Sequence, residues 1–465
     1  MVTRAALLAI AYASILIAIV AVRPHATPGP FLRDVEAYWS AGSTWNASRD
    51  AYGRGIWQAE RAVPGVNASR DEVLPFAGPP PVLLIWSLLA RLPYPAAARL
   101  WSAVLIGAVA LLAGLALRAA RIRLAPLPFA IAIALAVAFG PLTSDLALGQ
   151  IALLACAAAL AAATLAESRT TVASAAACVA MTQPNAAFGL VSQIGRNRTT
   201  AALAAGIVAA YALGAFAAGP AWPLEYARAL AAHASAERFI AIQFDPAAIA
   251  FGAGAPAPVA TAFGIAAMLA ALAALVALVL RVPDRLARFA ACSALTPFVA
   301  GFFHEHDLVV AYPAAIWCAT RTRGATRTAG LAGTLLVAVD WLGFAQRPSG
   351  IAQSAFLALA ACAAFAAFSD DRHRPAMSVL SVFAVLFALA AWLGATHPAP
   401  VWPDALGAFH APAAAPIAQV WAAEQRASGL AVAEPAWALL RALPLIGCAL
   451  LAAAIYRRSA CHRTA

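Results

Sequence analysis

Five short clusters along the 465 residues carry the side chains that could do chemistry. The first is Arg33-Asp34-Val35-Glu36-Ala37-Tyr38-Trp39. A carboxylate such as Asp34, held at an apolar boundary, can take a proton from a hydroxyl group if distance and pKa suit. An Asp ahead of an amphipathic turn is also a favoured helix N-cap, and spacing alone leaves both readings open. The second cluster is Phe76-Ala77-Gly78-Pro79-Pro80-Pro81, followed by Leu92-Pro93 and Leu100-Trp101. Its prolines cost little at a helix start, where the first N–H groups have no partner. The third is Asp145 with Gly149-Gln150. An ionisable residue at the edge of hydrocarbon is expensive and often functional, although Asp145 could equally cap a helix beginning near Leu146. The fourth, Thr182-Gln183-Pro184-Asn185, interrupts an apolar segment, where a kink satisfied by polar neighbours is expected. The fifth is Thr296-Pro297-Phe298 followed by His304-Glu305-His306-Asp307. His304 and His306 are two positions apart, on different faces of a helix, and suit no familiar zinc pattern. The expectation is therefore no metal and no cofactor, with this turn binding phosphate or sugar.

These clusters sit in a chain that is 63% hydrophobic and 11% charged, with a mean hydropathy of +0.81. A water-facing surface needs more charge than that, since soluble domains carry about 25% charged residues. Apolar runs recur from end to end, many long enough to cross ~30 Å of hydrocarbon, and they do not alternate. Helices rather than a barrel follow. The net charge of +11 comes entirely from arginine over acids, and arginine collects on the cytoplasmic side of membrane proteins. Nucleic acid is not implied. The seven cysteines lie mostly inside apolar runs and read as small hydrophobes. The first run, Ala5 to Val22, is expected to be a retained helix, because no convincing cleavage site follows it.

The fold expected is all-α and polytopic, with about twelve transmembrane helices (range about 11–14) and outward loops bearing short interfacial helices. Arginine-rich connectors at 118–123, 196–198, 281–288, 321–327, 372–374 and 457–463 should share the cytoplasmic side. That holds if 79–91 is an incomplete span and 170–194 a pair broken near Pro184. Loops 23–78, 141–150, 219–258, 304–307 and 397–434 then all face outward and could build one site. Segments 34–45 and 50–62 are expected to be short helices along the interface, where Trp and Tyr settle.

In this order the clusters resemble glycosyltransferase family 87, whose relatives include polyprenol-phosphate-mannose-dependent mannosyltransferases of the GT-C superfamily. The family pattern is similar to Asp34, Phe76 with Pro79 and Pro80, Leu92-Pro93, Gly149-Gln150, and Thr296-Pro297 with His306-Asp307. Two positions depart from it: Gly78 stands where the family usually has Tyr, and Gln183 where it usually has Lys. The resemblance implies a GT-C-like catalytic module over residues 1–320, with generic transmembrane helices and loop 397–434 over 321–465. It implies a membrane glycosyltransferase that moves a sugar, mannose first among them, from a polyprenyl-phosphate donor to a hydroxyl of a glycan or glycolipid. The site would face the outside of a bacterial inner membrane. Asp34 would be the base. Arg33, Glu36, Tyr38, Asp145, Gln150, Gln183, Arg228, His304, His306 and Asp307 would bind substrate, the cations among them meeting the phosphate. The rival readings are a transporter or flippase of lipid-linked sugars, for which no internal repeat speaks, and a degenerate scaffold.

Overall fold

The computed structural model describes residues 3–21, 29–195, 197–368, 374–412 and 414–461, with no strand among them. Six helices are long and apolar enough to cross a membrane: Tyr94–Ala119, Arg198–Ala218, Ala257–Arg281, Pro348–Ala367, Ala376–Thr396 and Pro435–Ser459. A seventh candidate is the pair Pro126–Val137 and Gly140–Leu148, bent by 72° at the join. The helical membrane class is borne out, but twelve full spans are not shown. Several apolar runs fold as shorter helices, among them Ala152–Leu165, Thr170–Ala180, Arg285–Ala294 and Tyr312–Arg321. Fourteen helical residues reach only about 21 Å, short of the ~30 Å core. Proline explains many of the breaks. Pro184 and Pro313 each occupy the first turn of a new helix instead of extending an old one. The expected break near Pro184 and the incomplete run at 79–91, which folds as Pro81–Leu89, are both present.

Alanine and glycine set the packing. Ala152–Leu165 is buried along nearly its whole length, and its small side chains let neighbours approach closely. At the crossing of Gly324–Val337 with the last long helix, a Cβ on Gly333 would meet the Gly447 carbonyl oxygen at 2.8 Å. Outer helices such as Ala376–Thr396 and Ala257–Arg281 present almost bare apolar faces, as lipid contact requires.

The Tyr94–Ala119 helix measures the molecule. Its 26 residues span about 39 Å. At its start the Tyr94 hydroxyl donates to the carbonyls of Phe31 and Leu32 in the first polar loop, at 2.6 and 2.9 Å. Just beyond its other end Arg121 pairs with Asp284 at 3.1 Å. Arg285 pairs with Glu167 at 3.5 Å, and Arg281 donates to the Tyr456 hydroxyl at 3.0 Å. Connectors 118–123 and 281–288, with Tyr456 at the edge of 457–463, therefore gather at one end, and the first polar loop lies at the other. Residues 23–28 of that loop, and Arg196 and residues 372–373 and 462–463 of the connectors, lie outside the described residues.

The first loop carries the two expected helices, Val35–Ser48 and Gly55–Arg61, but the first is not laid along an interface. Most of its residues are buried, Tyr38 stacks on Trp86 with ring centroids 5.2 Å apart, and Gly42 lies against the Trp86 backbone with no room for a Cβ. Alternating small and aromatic residues made it look interfacial; they are its packing face against Pro81–Leu89.

Candidate active site

Asp34 occupies the N-cap position of Val35–Ser48, yet its side chain caps nothing. Its backbone N–H donates to the Leu148 carbonyl at 2.9 Å, and one carboxylate oxygen accepts from Gln150 Nε2 at 2.5 Å. The Gln150 amide is oriented from its other side, where Oε1 accepts from the Tyr38 hydroxyl at 2.7 Å. Gly149 makes this possible. Its φ of +80° turns the chain sharply after Leu148, and the Trp101 indole holds its carbonyl at 2.8 Å. The Leu-Trp and Gly-Gln clusters thus converge on one carboxylate. Burial pushes the Asp34 carboxyl up to about 6, against Gln150, Arg33 and His304, which pull it down. A base near that value is ionised at neutral pH and still accepts a proton readily.

Asp34 lies in the wall of a cavity of about 360 Å³. Each of the five polar loops contributes to its lining: Asp34 and Tyr38 from the first, Gln150 beside the bent pair, Tyr226 and Glu237 from the second, His304 and His306 from the fifth cluster, and Trp402 and Trp421 from 397–434. The expectation that these loops build one site is met geometrically. Because Trp402 and Trp421 lie beyond residue 320, the site is not confined to the module expected over 1–320.

Facing the cavity is a hub centred on Glu237, the last residue of the Trp222–Glu237 helix, which is almost wholly buried. Its Oε2 lies 2.9 Å from His304 Nε2 and accepts from Gln243 Nε2 at 2.5 Å. Its Oε1 lies 3.2 Å from His233 Nε2 and accepts from the Trp421 indole N–H. Burial by itself would raise the Glu237 carboxyl, but His304 and then His233 outweigh it and hold the group below the usual carboxylate range. For His304 burial pushes downward, and Glu237 overrides it, leaving the imidazole above its ordinary value. For His306 burial outweighs the upward pull of Asp307 and Glu237 and takes the imidazole down to about 4.

The remaining expected residues divide. Arg33 lines the cavity, pairs with Glu36 and Glu72 at 3.6 and 3.5 Å, and lies over the Trp402 ring at 4.4 Å. Gln183 lines it too and donates to Asp307 at 3.2 Å, where the family's Lys would have formed an ion pair. Glu36, Asp145 and Asp307 are buried and do not line the cavity. Asp307 acts within its turn, accepting the His304 N–H at 3.0 Å. Asp145 does not start a helix but sits inside Gly140–Leu148. Arg228 is exposed on the far face of its helix and does not reach the site. Gly78 does line the cavity, and its carbonyl accepts from the Tyr52 hydroxyl at 2.7 Å. At Pro184 the polar neighbours do what a kink requires: Thr182 donates to the Val179 carbonyl at 2.6 Å and Asn185 to that of Phe302 at 2.8 Å.

Sequence reasoning missed Glu237, His233, Trp402 and Trp421 as site residues. Each stands in a polar loop, but nothing local says that loops so distant in sequence meet. His304, His306 and Asp307 offer ligand atoms within 4.8 Å of one another, the one grouping of metal-ligand type among the described residues. Their hydrogen bonds are largely internal: His304 Nε2 is committed to Glu237, and Asp307 to Gln183 and the His304 N–H.

A helical membrane-type chain with a carboxylate, imidazoles and aromatic rings around one cavity is the class these features define. Residues 76–301 match the model of glycosyltransferase family 87, so the resemblance read from the motifs is borne out there, and the match implies a glycosyltransferase consistent with the GT-C type. Asp34 and the 304–307 turn lie outside the matched span and join it through Gln150 and Glu237. Comparison with curated proteins returns no match, and comparison with solved structures returns none.

Proposed function

We propose that this glycosyltransferase moves a sugar, mannose being the expected one, from a polyprenyl-phosphate donor to a hydroxyl of a glycan or glycolipid acceptor. The observation that carries the reading is the placement of Asp34 across one cavity from His304, with an apolar groove adjoining. That groove, of about 320 Å³, is lined by Pro79, Pro81, Ile207, Tyr211 and Trp222, and shares Pro184 and Tyr226 with the polar cavity. A lipid tail fits the groove and a phosphate-sugar head the cavity. Asp34 takes the acceptor hydroxyl's proton as that oxygen forms the new bond to the anomeric carbon. The carbon–oxygen bond to phosphate breaks, and polyprenyl phosphate leaves with the electron pair, its charge met by His304 and Arg33. Donor phosphate already bears a good leaving charge, so no metal or cofactor enters the reading. The site faces outward from a bacterial inner membrane, opposite the arginine-rich end.

Incubation of the purified chain in nanodiscs with radiolabelled polyprenyl-phosphate mannose and envelope glycolipid tests it. A covalent product lost in Asp34→Asn supports the transferase. Transbilayer movement of donor without product supports the transporter instead, and the absence of both product and movement supports the scaffold.

A further inference from the structure

We propose that Glu237 is the positioning residue that fixes the tautomer and the charge of His304. Hydrogen-bond logic leads there. Gln243 Oε1 accepts the Phe303 N–H at 2.9 Å, so its amide NH2 must turn toward Glu237 Oε2. The Trp421 indole can only donate, and it donates to Oε1. With a donor on each oxygen and two imidazoles beside it, Glu237 is held as a carboxylate. His304 Nε2 lies 2.9 Å from this anionic Oε2 and 3.2 Å from the Gln243 amide nitrogen; the shorter contact, to the anion, calls for a hydrogen on Nε2. Only Nδ1 remains for a ligand: a neutral ring offers it a lone pair, and a protonated ring offers it N–H.

The carboxylates facing His304 favour the charged ring: Glu237 from Trp222–Glu237, Asp34 from the head of Val35–Ser48, and Asp307 from its own turn. His306 opposes it, and His233 shares Glu237. Burial opposes the charge, and the adjoining carboxylates prevail. Resting on the donor reading above, the N–H at Nδ1 is the one that meets the anion. Trp421, from a loop nearly two hundred residues downstream, ties the same carboxylate, so the last polar loop helps set the charge of this wall.

Diethyl pyrocarbonate acylates only unprotonated imidazole, so the pH midpoint of His304 labelling, followed by peptide mass mapping, reads its charge without any ligand. In the unaltered chain the midpoint should lie above the ordinary histidine value of about 6.5; a midpoint at or below it overturns the proposal, whatever the variants do. Glu237→Gln should lower the midpoint by about one pH unit or more, and Glu237→Asp should restore part of it. An unchanged midpoint in a folded Glu237→Gln also overturns it. Binding of a short-chain polyprenyl monophosphate is measured in parallel. Charge control as stated with no binding at any pH leaves the inference standing and sinks the donor reading.

Discussion

Asp34 makes the sharpest demand at the scale of single residues. Its carboxyl is pushed up to about 6, and it works as a base only when ionised, so turnover should climb with pH through about 6 and then level. His304 works charged, so turnover should fall again as pH passes its raised value. Replacing Gln150 by Leu removes a bond that favours the Asp34 anion, and the acid limb of the profile should move upward. A limb that stays in place separates the titrating group from Asp34. Asp34→Asn should cost about two to four orders of magnitude in rate while thermal stability persists. Gln183 offers the converse experiment. Restoring the family's cation with Gln183→Lys, beside Asp307, should strengthen donor binding several-fold if the head group is an anion, read as a lower KM for donor with kcat little changed. A KM that rises points to a head group shaped for the amide.

Among the elements, the turn Leu148-Gly149-Gln150 tolerates little change. Gly149 has a φ of +80°, and a Cβ there would meet Val35 Cγ2 at 2.5 Å and Leu32 Cβ at 3.0 Å. Gly149→Ala should destabilise the fold by about 1–2 kcal/mol from the left-handed backbone alone, plus the displacement of Val35. Since Val35 adjoins Asp34, activity should fall further than stability does, measurable as lost turnover in variant that still melts cooperatively. The same turn shows how much of the site could be read in advance. Gly149-Gln150, Leu100-Trp101 and Asp34 stood out singly, because glycine, tryptophan and an acid beside apolar runs are costly choices. Their convergence did not, since the Trp101 indole reaches the Gly149 carbonyl across 48 positions of chain. Glu237 was less legible still. It ends an ordinary amphipathic helix, and all that distinguishes it are partners at His304, Gln243 and Trp421. Twelve full spans are not shown for a local reason: hydropathy registers the break at Pro184 through its proline but sums over the 72° bend after Val137.

At the scale of the whole molecule, the distribution of arginine predicts an orientation. Ion pairs Arg121–Asp284 and Arg285–Glu167 gather the connectors at one end of the Tyr94–Ala119 helix, about 39 Å from the loops that enclose the cavity. Arginine is retained on the cytoplasmic face during insertion, so the cavity end should be the outer one. Cysteines introduced at Arg228 and Asp404, both exposed on the cavity-side loops, should react with a membrane-impermeant maleimide in intact right-side-out vesicles. Cysteines at Arg121 and Arg281, exposed at the other end, should react only after the vesicles are opened. With Cys461 replaced by Ser, native background should be low, since Cys156, Cys292, Cys318, Cys362 and Cys448 are buried and Cys178 is half-buried. Losing the exposed Arg121 pair costs little, so the substituted chain remains a fair reporter. Positions 228 and 121 labelling from one side would separate the arginine-rich end from the cytoplasm. An outward site, and with it a donor delivered from the outer leaflet, would then be untenable, whereas the carboxylate–imidazole geometry around Asp34 and Glu237 would stand unchanged for a donor met on the inner face.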